Sequence, residues 1–177
     1  SLATSGADLG WNTWEGSFRF ISRSAVNLSN PRGDEALTYP VAEYGQEDPL
    51  LQRSSAATGL HVYRSDAIPE LANLVLFGDN PSGEVFYVRA DGLPSGGQQA
   101  IRRILLNDRG DSKTLLQLIQ EKNREQGRSP AGRADLRFGS GPDGQVFLLN
   151  KRDGIIRLFV SSTGSGNADS GHPDIFE

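Results

Sequence analysis

The chain has 177 residues, a formal net charge of -4, 36% hydrophobic residues and no cysteine. That is enough length for one ordinary core, and the missing thiols exclude disulfides, zinc-thiolate centres and cysteine nucleophiles. Acidic residues outnumber basic ones without forming blocks, so the basic footprint needed to displace phosphate counterions is missing and nucleic acid is excluded as a partner.

The chain opens Ser1-Leu2-Ala3, which reads as the start of a processed or truncated chain. No apolar run approaches the roughly 20 residues of a membrane-spanning helix, so no transmembrane segment is expected. The 21 glycines lack a collagen period and predict many tight turns between short strands.

Gly6 to Gly16 holds both tryptophans between glycines and reads as a loop pinned by buried rings. Ser17 to Arg23 has a strand pattern with Phe18 and Phe20 on one face. Asn27 to Glu35 is a polar loop, and its Asn27-Leu28-Ser29 matches the N-glycosylation sequon. Tyr39 to Tyr44 reads as an edge strand, because Pro40 cannot donate to a ladder.

Gly59–Arg64, Leu74–Gly78, Glu84–Arg89 and Ala100–Leu106 read as four consecutive strands, the second and third joined by the turn Asp79-Asn80-Pro81-Ser82-Gly83. Four antiparallel strands of this length make a sheet the size of a propeller blade. Ser112 to Gln126 is the one predicted helix, capped by Asp111 or Ser112 and ended by Gly127. Leu115, Leu118, Ile119 and Lys122 fall on one side of it. Ala134–Phe138, Gln145–Asn150 and Ile155–Val160 then return as strands, separated by the turns Pro142-Asp143-Gly144 and Lys151-Arg152-Asp153-Gly154. The tail from 161 to 177 is Ser/Gly-rich and reads as flexible.

A Gly-ended turn followed by Val-Phe occurs twice, before Val85-Phe86 and Val146-Phe147. The repeat of about 60 residues leaves room for two to three units, and a closed propeller needs at least about four. The expected fold is therefore all-β: a partial β-propeller over residues 1–160, of about two to three antiparallel blades, with one short inserted helix near 112–126. Its open edge requires the remainder of the propeller or another chain to cover it.

Four stretches carry a family resemblance. Gly6-Ala7-Asp8-Leu9-Gly10-Trp11 with Glu15-Gly16, then Tyr39-Pro40-Val41-Ala42-Glu43-Tyr44, then His61-Val62-Tyr63-Arg64 with 71–83, and finally Arg133 to Arg157 follow one another in family order. They resemble the soluble glucose/sorbosone dehydrogenases, β-propeller quinoproteins that use pyrroloquinoline quinone (PQQ) and calcium to oxidise aldose sugars. The most specific stretch is Asp135-Leu136-Arg137-Phe138-Gly139 with Lys151-Arg152-Asp153-Gly154-Ile155-Ile156-Arg157.

The resemblance implies the C-terminal part of such a propeller and an extracytoplasmic (periplasmic or secreted) location. It implies cofactor contacts at Arg64 and Arg133, whose guanidinium groups suit quinone carboxylates. Ser65 stands where the family has glycine, and Ala134 where a further arginine often lies. The other reading of both arginines is a surface ion pair. Nothing matches the family's catalytic histidine, so no catalytic residue is assigned, and His61 reads as a strand residue.

Asp79, Asp108, Asp143 and Asp153 lie in turns near glycine, but none fits a full calcium loop, and aspartate in a turn ordinarily bonds local backbone. No protein metal site is assigned. Gly92 to Gly97 lacks the lysine of a phosphate loop, and Gly139-Ser140-Gly141 lacks the spacing of a nucleophile elbow. Two functions follow: the C-terminal portion of a quinoprotein sugar dehydrogenase, active only when the ring is completed, or a non-catalytic structural or binding subunit on a larger extracytoplasmic complex.

Overall fold

The computed structural model describes residues 3–46, 48–51 and 55–162. The predicted tail lies almost wholly outside the described residues. The chain divides into two compact units, Ser1–Gly45 with Leu93–Ala100, and Gln46–Gly92 with Ile101–Glu177.

The first unit is built on a three-stranded antiparallel meander of β1 (Trp14–Glu15), β2 (Phe18–Ser22) and β3 (Ala25–Asn27). Trp14 is buried edge-on to Tyr39, with ring centroids 5.6 Å apart. Trp11 departs from expectation: it is 71% exposed, tilted against Phe20 at 5.2 Å. Tyr39 to Tyr44 is not a strand. Its groups are used in a local knot instead. Arg32 donates to the Pro40 carbonyl at 2.5 Å, and the Glu43 carboxylate accepts from Ser17 N at 2.7 Å and from the Ser17 hydroxyl. The backbone of Val41 and Glu43 bonds to Gly96 and Gly97.

The second unit contains the predicted four-stranded meander, β4 (Ala57–Val62), β5 (Leu74–Asp79), β6 (Val85–Arg89) and β7 (Arg102–Ile104), in sequential antiparallel order. Ala100–Leu106 is not one strand. Ile104 pairs with Val85, whereas Leu106 opens the hairpin of β8 (Leu106–Asp108) and β9 (Asp111–Lys113). The turn between them needs two left-handed residues, Arg109 at φ 57° and Gly110 at φ 97°.

β9 takes the residues expected to start the helix. Helix α1 therefore spans Leu115–Glu125 and is capped by Thr114 in place of Asp111 or Ser112. Gln117 N donates to Thr114 Oγ1 at 3.2 Å, and Thr114 N donates to Gln117 Oε1 at 2.7 Å, a reciprocal capping box. Thr114→Ala is expected to cost about 1 kcal/mol, read as a lower urea midpoint at unchanged slope. The buried stripe is Leu115, Ile119 and Asn123, not one that includes Lys122. Asn123 is a polar core residue the apolar periodicity could not reveal. Its amide donates to the Arg152 carbonyl at 3.0 Å, and its Oδ1 accepts from Ala131 N at 3.0 Å.

A third meander follows: β10 (Arg137–Ser140), β11 (Val146–Leu149) and β12 (Arg157–Leu158). Strand β10 starts later than Ala134 because that stretch bonds elsewhere. Ala134 N donates to the Pro81 carbonyl at 2.8 Å, Leu136 N donates to the Asn80 carbonyl at 3.0 Å, and Asp135 has φ 55°. The expected strand Ile155–Val160 is likewise shorter, although Phe159 N still donates to Val146 O at 2.9 Å.

Two linked clusters form the core of this unit. Leu74 and Leu76 of β5 pack with Tyr63, Ile68, Leu71 and Val146 of β11. Val85 of β6 packs with Leu115, Ile119, Ala134, Leu136 and Leu148 of β11. One face of the four-stranded sheet thus meets the inner face of the β10–β12 sheet. Gly59 marks the close approach: a Cβ there would lie 2.3 Å from the Phe138 ring, and its φ of +68° also disfavours any other residue. Among the described residues the architecture is all-β with one α-helix, and its sheets are open and antiparallel.

Candidate functional site: a cationic cluster beside the last hairpin

The Asp79–Gly83 turn and the β11–β12 turn are both built around a buried aspartate. Asp79 accepts from Ala56 N at 2.7 Å, Ser82 N at 2.9 Å and the Ser82 hydroxyl at 2.6 Å. Asp153 accepts from Asn150 Nδ2 at 3.0 Å, Ile155 N at 2.9 Å and Arg157 Nη2 at 2.5 Å. Burial alone would raise the Asp153 pKa; the Arg157 guanidinium and the Ile155 amide outweigh it and hold the carboxyl below the usual range. Asp143 and Asp108 instead pair with the side chains of Gln145 and Lys113.

These two turns bring together the cluster. Asp135 lies 2.5 Å from Arg133 Nε, 2.6 Å from Arg152 Nε and 3.8 Å from Lys151 Nζ. Arg133 Nη2 also donates to Asn80 Oδ1 at 2.8 Å. Desolvation of Asp135 works against its charge, but the Arg133 hydrogen bond and the adjacent Arg152 guanidinium lower its pKa overall. Three cations share one carboxylate, so the cluster carries net positive charge. Lys151 is 80% exposed, and only a 3.8 Å contact tethers it. The family resemblance singled out Arg133 as a cofactor contact, and the structure gives it an ion pair with Asp135, the other reading of that residue. Asp135, Lys151 and Arg152 were not assigned, although Arg-x-Asp and the basic pair before Asp153-Gly154 signal them.

The second expected cofactor contact lies elsewhere. Arg64 is exposed and makes no ion pair or hydrogen bond among the described residues. It follows β4 at the end where Val62 pairs with Val75, while Arg133 is fastened to the turn beyond Asp79, the opposite end of β5. Five strand steps from Leu74 to Asp79 span about 17 Å. Arg133 is pinned at its own end, so the two arginines stand apart rather than side by side. No chemistry is routed through PQQ.

His61 pairs across the ladder with Leu76, and its Nδ1 lies 2.8 Å from the Ser140 hydroxyl of β10. Its Nε2 is buried without a partner among the described residues. Among the described residues no carboxylate orients the ring, so the pair fastens β4 to β10 without the base-and-orienter arrangement of a nucleophile. Arg103, in the Arg102–Arg103 pair, is held bidentately by Glu84 at 2.6 and 2.7 Å. Among the described residues no group of three His, Asp or Glu side chains could hold a metal ion. No helix among them is long and apolar enough to cross a membrane.

The outer face of the β10–β12 sheet completes the site. Val146 and Leu148 face the core, so Phe147 and Leu149 face away from it. Register places Leu158 beside Phe147, and Arg137 beside Leu149, on that outer face. Ile156, Leu158 and Val160 continue it at 66%, 45% and 71% exposure. An apolar field with a cationic end therefore faces away from the core. Comparison with protein-family models, with curated proteins and with solved structures finds no match for this chain.

Proposed function

We propose that this chain supplies consecutive later blades of a β-propeller like that of the sugar dehydrogenases, where it serves as scaffold and docking surface. The observation that carries this reading is the outer face of β10–β12. A sheet that ends a domain normally turns polar residues outward. This one presents Phe147, Leu149, Ile156, Leu158 and Val160 on the side opposite its packed face. Two meanders stacked face to face, with a further apolar face beyond, are what adjacent blades with a neighbour still to come would show. The neighbour is the remainder of the propeller or another protein chain, in an extracytoplasmic setting.

The order of the four family-like stretches favours a second reading. In it the completed ring oxidises an aldose with PQQ and calcium, and the base comes from outside these residues. Titrating the purified chain with PQQ and calcium, with glucose-dependent dye reduction as the activity readout, separates the two. The scaffold reading expects neither turnover nor saturable quinone binding. Saturable binding that Arg133→Ala abolishes would overturn it.

A further inference from the structure

Strand β12 is the edge of its sheet, with β11 on one side and no strand on the other among the described residues. Phe159 N points inward to Val146 O, so the backbone N–H groups of Leu158 and Val160, alternating with it, point to the free side. The side chains of Ile156, Leu158 and Val160 are the exposed ones. Ile155 to Val160 holds no lysine or proline, and its one charge, Arg157, faces inward to Asp153, so the exposed side of the segment is apolar. The turn leading into this strand carries Lys151 and Arg152, with Arg133 on the same carboxylate. Arg137 lies at the same end of the sheet, paired with Leu149.

We infer that β12 is a strand-addition site for an extended partner segment that is apolar at alternate residues and carries carboxylates at one end. Main-chain bonds would form along the free edge, and alternate apolar side chains would sit beside Ile156, Leu158 and Val160. The carboxylates would meet Lys151 and the free guanidinium edge of Arg152. Charge complementarity selects this occupant: three cations, Arg133, Lys151 and Arg152, share the single carboxylate of Asp135, and a neutral or basic strand would leave the excess charge unmatched. Direction follows too. β12 runs away from the turn, so an antiparallel partner brings its C-terminal end to the cations. The inference rests on the outer face being a docking face and adds the chemistry of what docks.

The test uses the full chain and a short capped peptide alternating Ile and Thr and ending in Asp-Asp. Controls are the same peptide ending in Lys-Lys and one beginning with Asp-Asp. Binding is followed by fluorescence anisotropy and by shifts of the Ile156, Leu158 and Val160 amides. The expected result is binding at least about ten-fold tighter for the Asp-ended peptide than for the Lys-ended one, weakened by salt. Lys151→Glu, at an exposed position that leaves the core untouched, should erase most of that preference. Leu158→Lys should weaken all the peptides. Equal binding of Asp- and Lys-ended peptides would overturn the inference while leaving the docking face standing. Failure of every peptide to bind would overturn both. A dimer in sedimentation that Leu158→Lys dissolves would assign the edge to a second copy and sink the acidic strand.

Discussion

Replacing Leu76 with Ala is expected to destabilise the protein by about 2–5 kcal/mol, the range for truncating a fully buried leucine. Leu76 has no exposed surface and sits in β5, between His61 on one neighbouring strand and Tyr87 on the other. Tyr63, Leu74 and Val146 pack around it. Strands on both sides and a sheet across the core hold these neighbours in place, so the cavity has little room to collapse. A domain is stable by only about 5–15 kcal/mol, so the loss is a large share of the total. Urea unfolding should show a lower midpoint with an unchanged slope. Leu60→Ala is the control: Leu60 is 76% exposed, and its truncation should change stability by no more than about 0.5 kcal/mol. Equal effects of the two would mean that the β5–β11 contact is not the centre of the core.

Asp153→Ala should have the second large effect, about 3 kcal/mol, toward the lower end for breaking a buried ion pair. The carboxylate is fully buried, but Arg157 keeps 19% of its side chain exposed, and that contact with water softens the loss. The change removes the acceptor for Arg157, Asn150 and Ile155 N at once, so the β11–β12 turn loses its internal frame. The pH dependence has a definite sign. The folded pKa of Asp153 lies below its unfolded value, so its contribution is complete above the ordinary aspartate range near 4 and disappears as pH falls through the folded value. Asp135 adds to the same trend. The melting temperature should fall below about pH 4, and the fall should be shallower in Asp153→Ala than in the parent. A parallel acid profile in the two proteins would show that Arg157 does not hold the charge.

The same aspartate shows where sequence reasoning reached and where it stopped. Pro142-Asp143-Gly144 and Lys151-Arg152-Asp153-Gly154 marked turns because aspartate and glycine supply local bonds and positive φ, properties that hold before any folding. The structure has hairpins at both places. Asp79 and Asp153 do bond neighbouring backbone as expected, whereas Asp108 and Asp143 turn to side chains. Local chemistry sets the turn, and only the packed surroundings choose the carboxylate's partner.

Element boundaries failed where two local preferences competed. Thr114 and Asp111 are both acceptable caps, and pairing of Asp111–Lys113 with Leu106–Asp108 decided between them. Asn123 reads as a surface residue of a helix until Ala131 N and the Arg152 carbonyl, distant in sequence, are seen to need its amide. Trp11 and Trp14 are equivalent on paper, yet only Trp14 finds a buried place.

By itself the sequence determined the alternation of short strands and tight turns, the four-stranded meander and the α-helix. Those follow from periodicity and turn chemistry, which act over a few residues. Tertiary structure decided that Arg64 and Arg133 stand at opposite ends of β5, that Asp135 gathers Arg133, Lys151 and Arg152, and that an apolar face remains outward on β10–β12. Each of these depends on register and on which face meets the core. A strand's side chains alternate identically whichever face is buried, so only the packing of one sheet on another settles them.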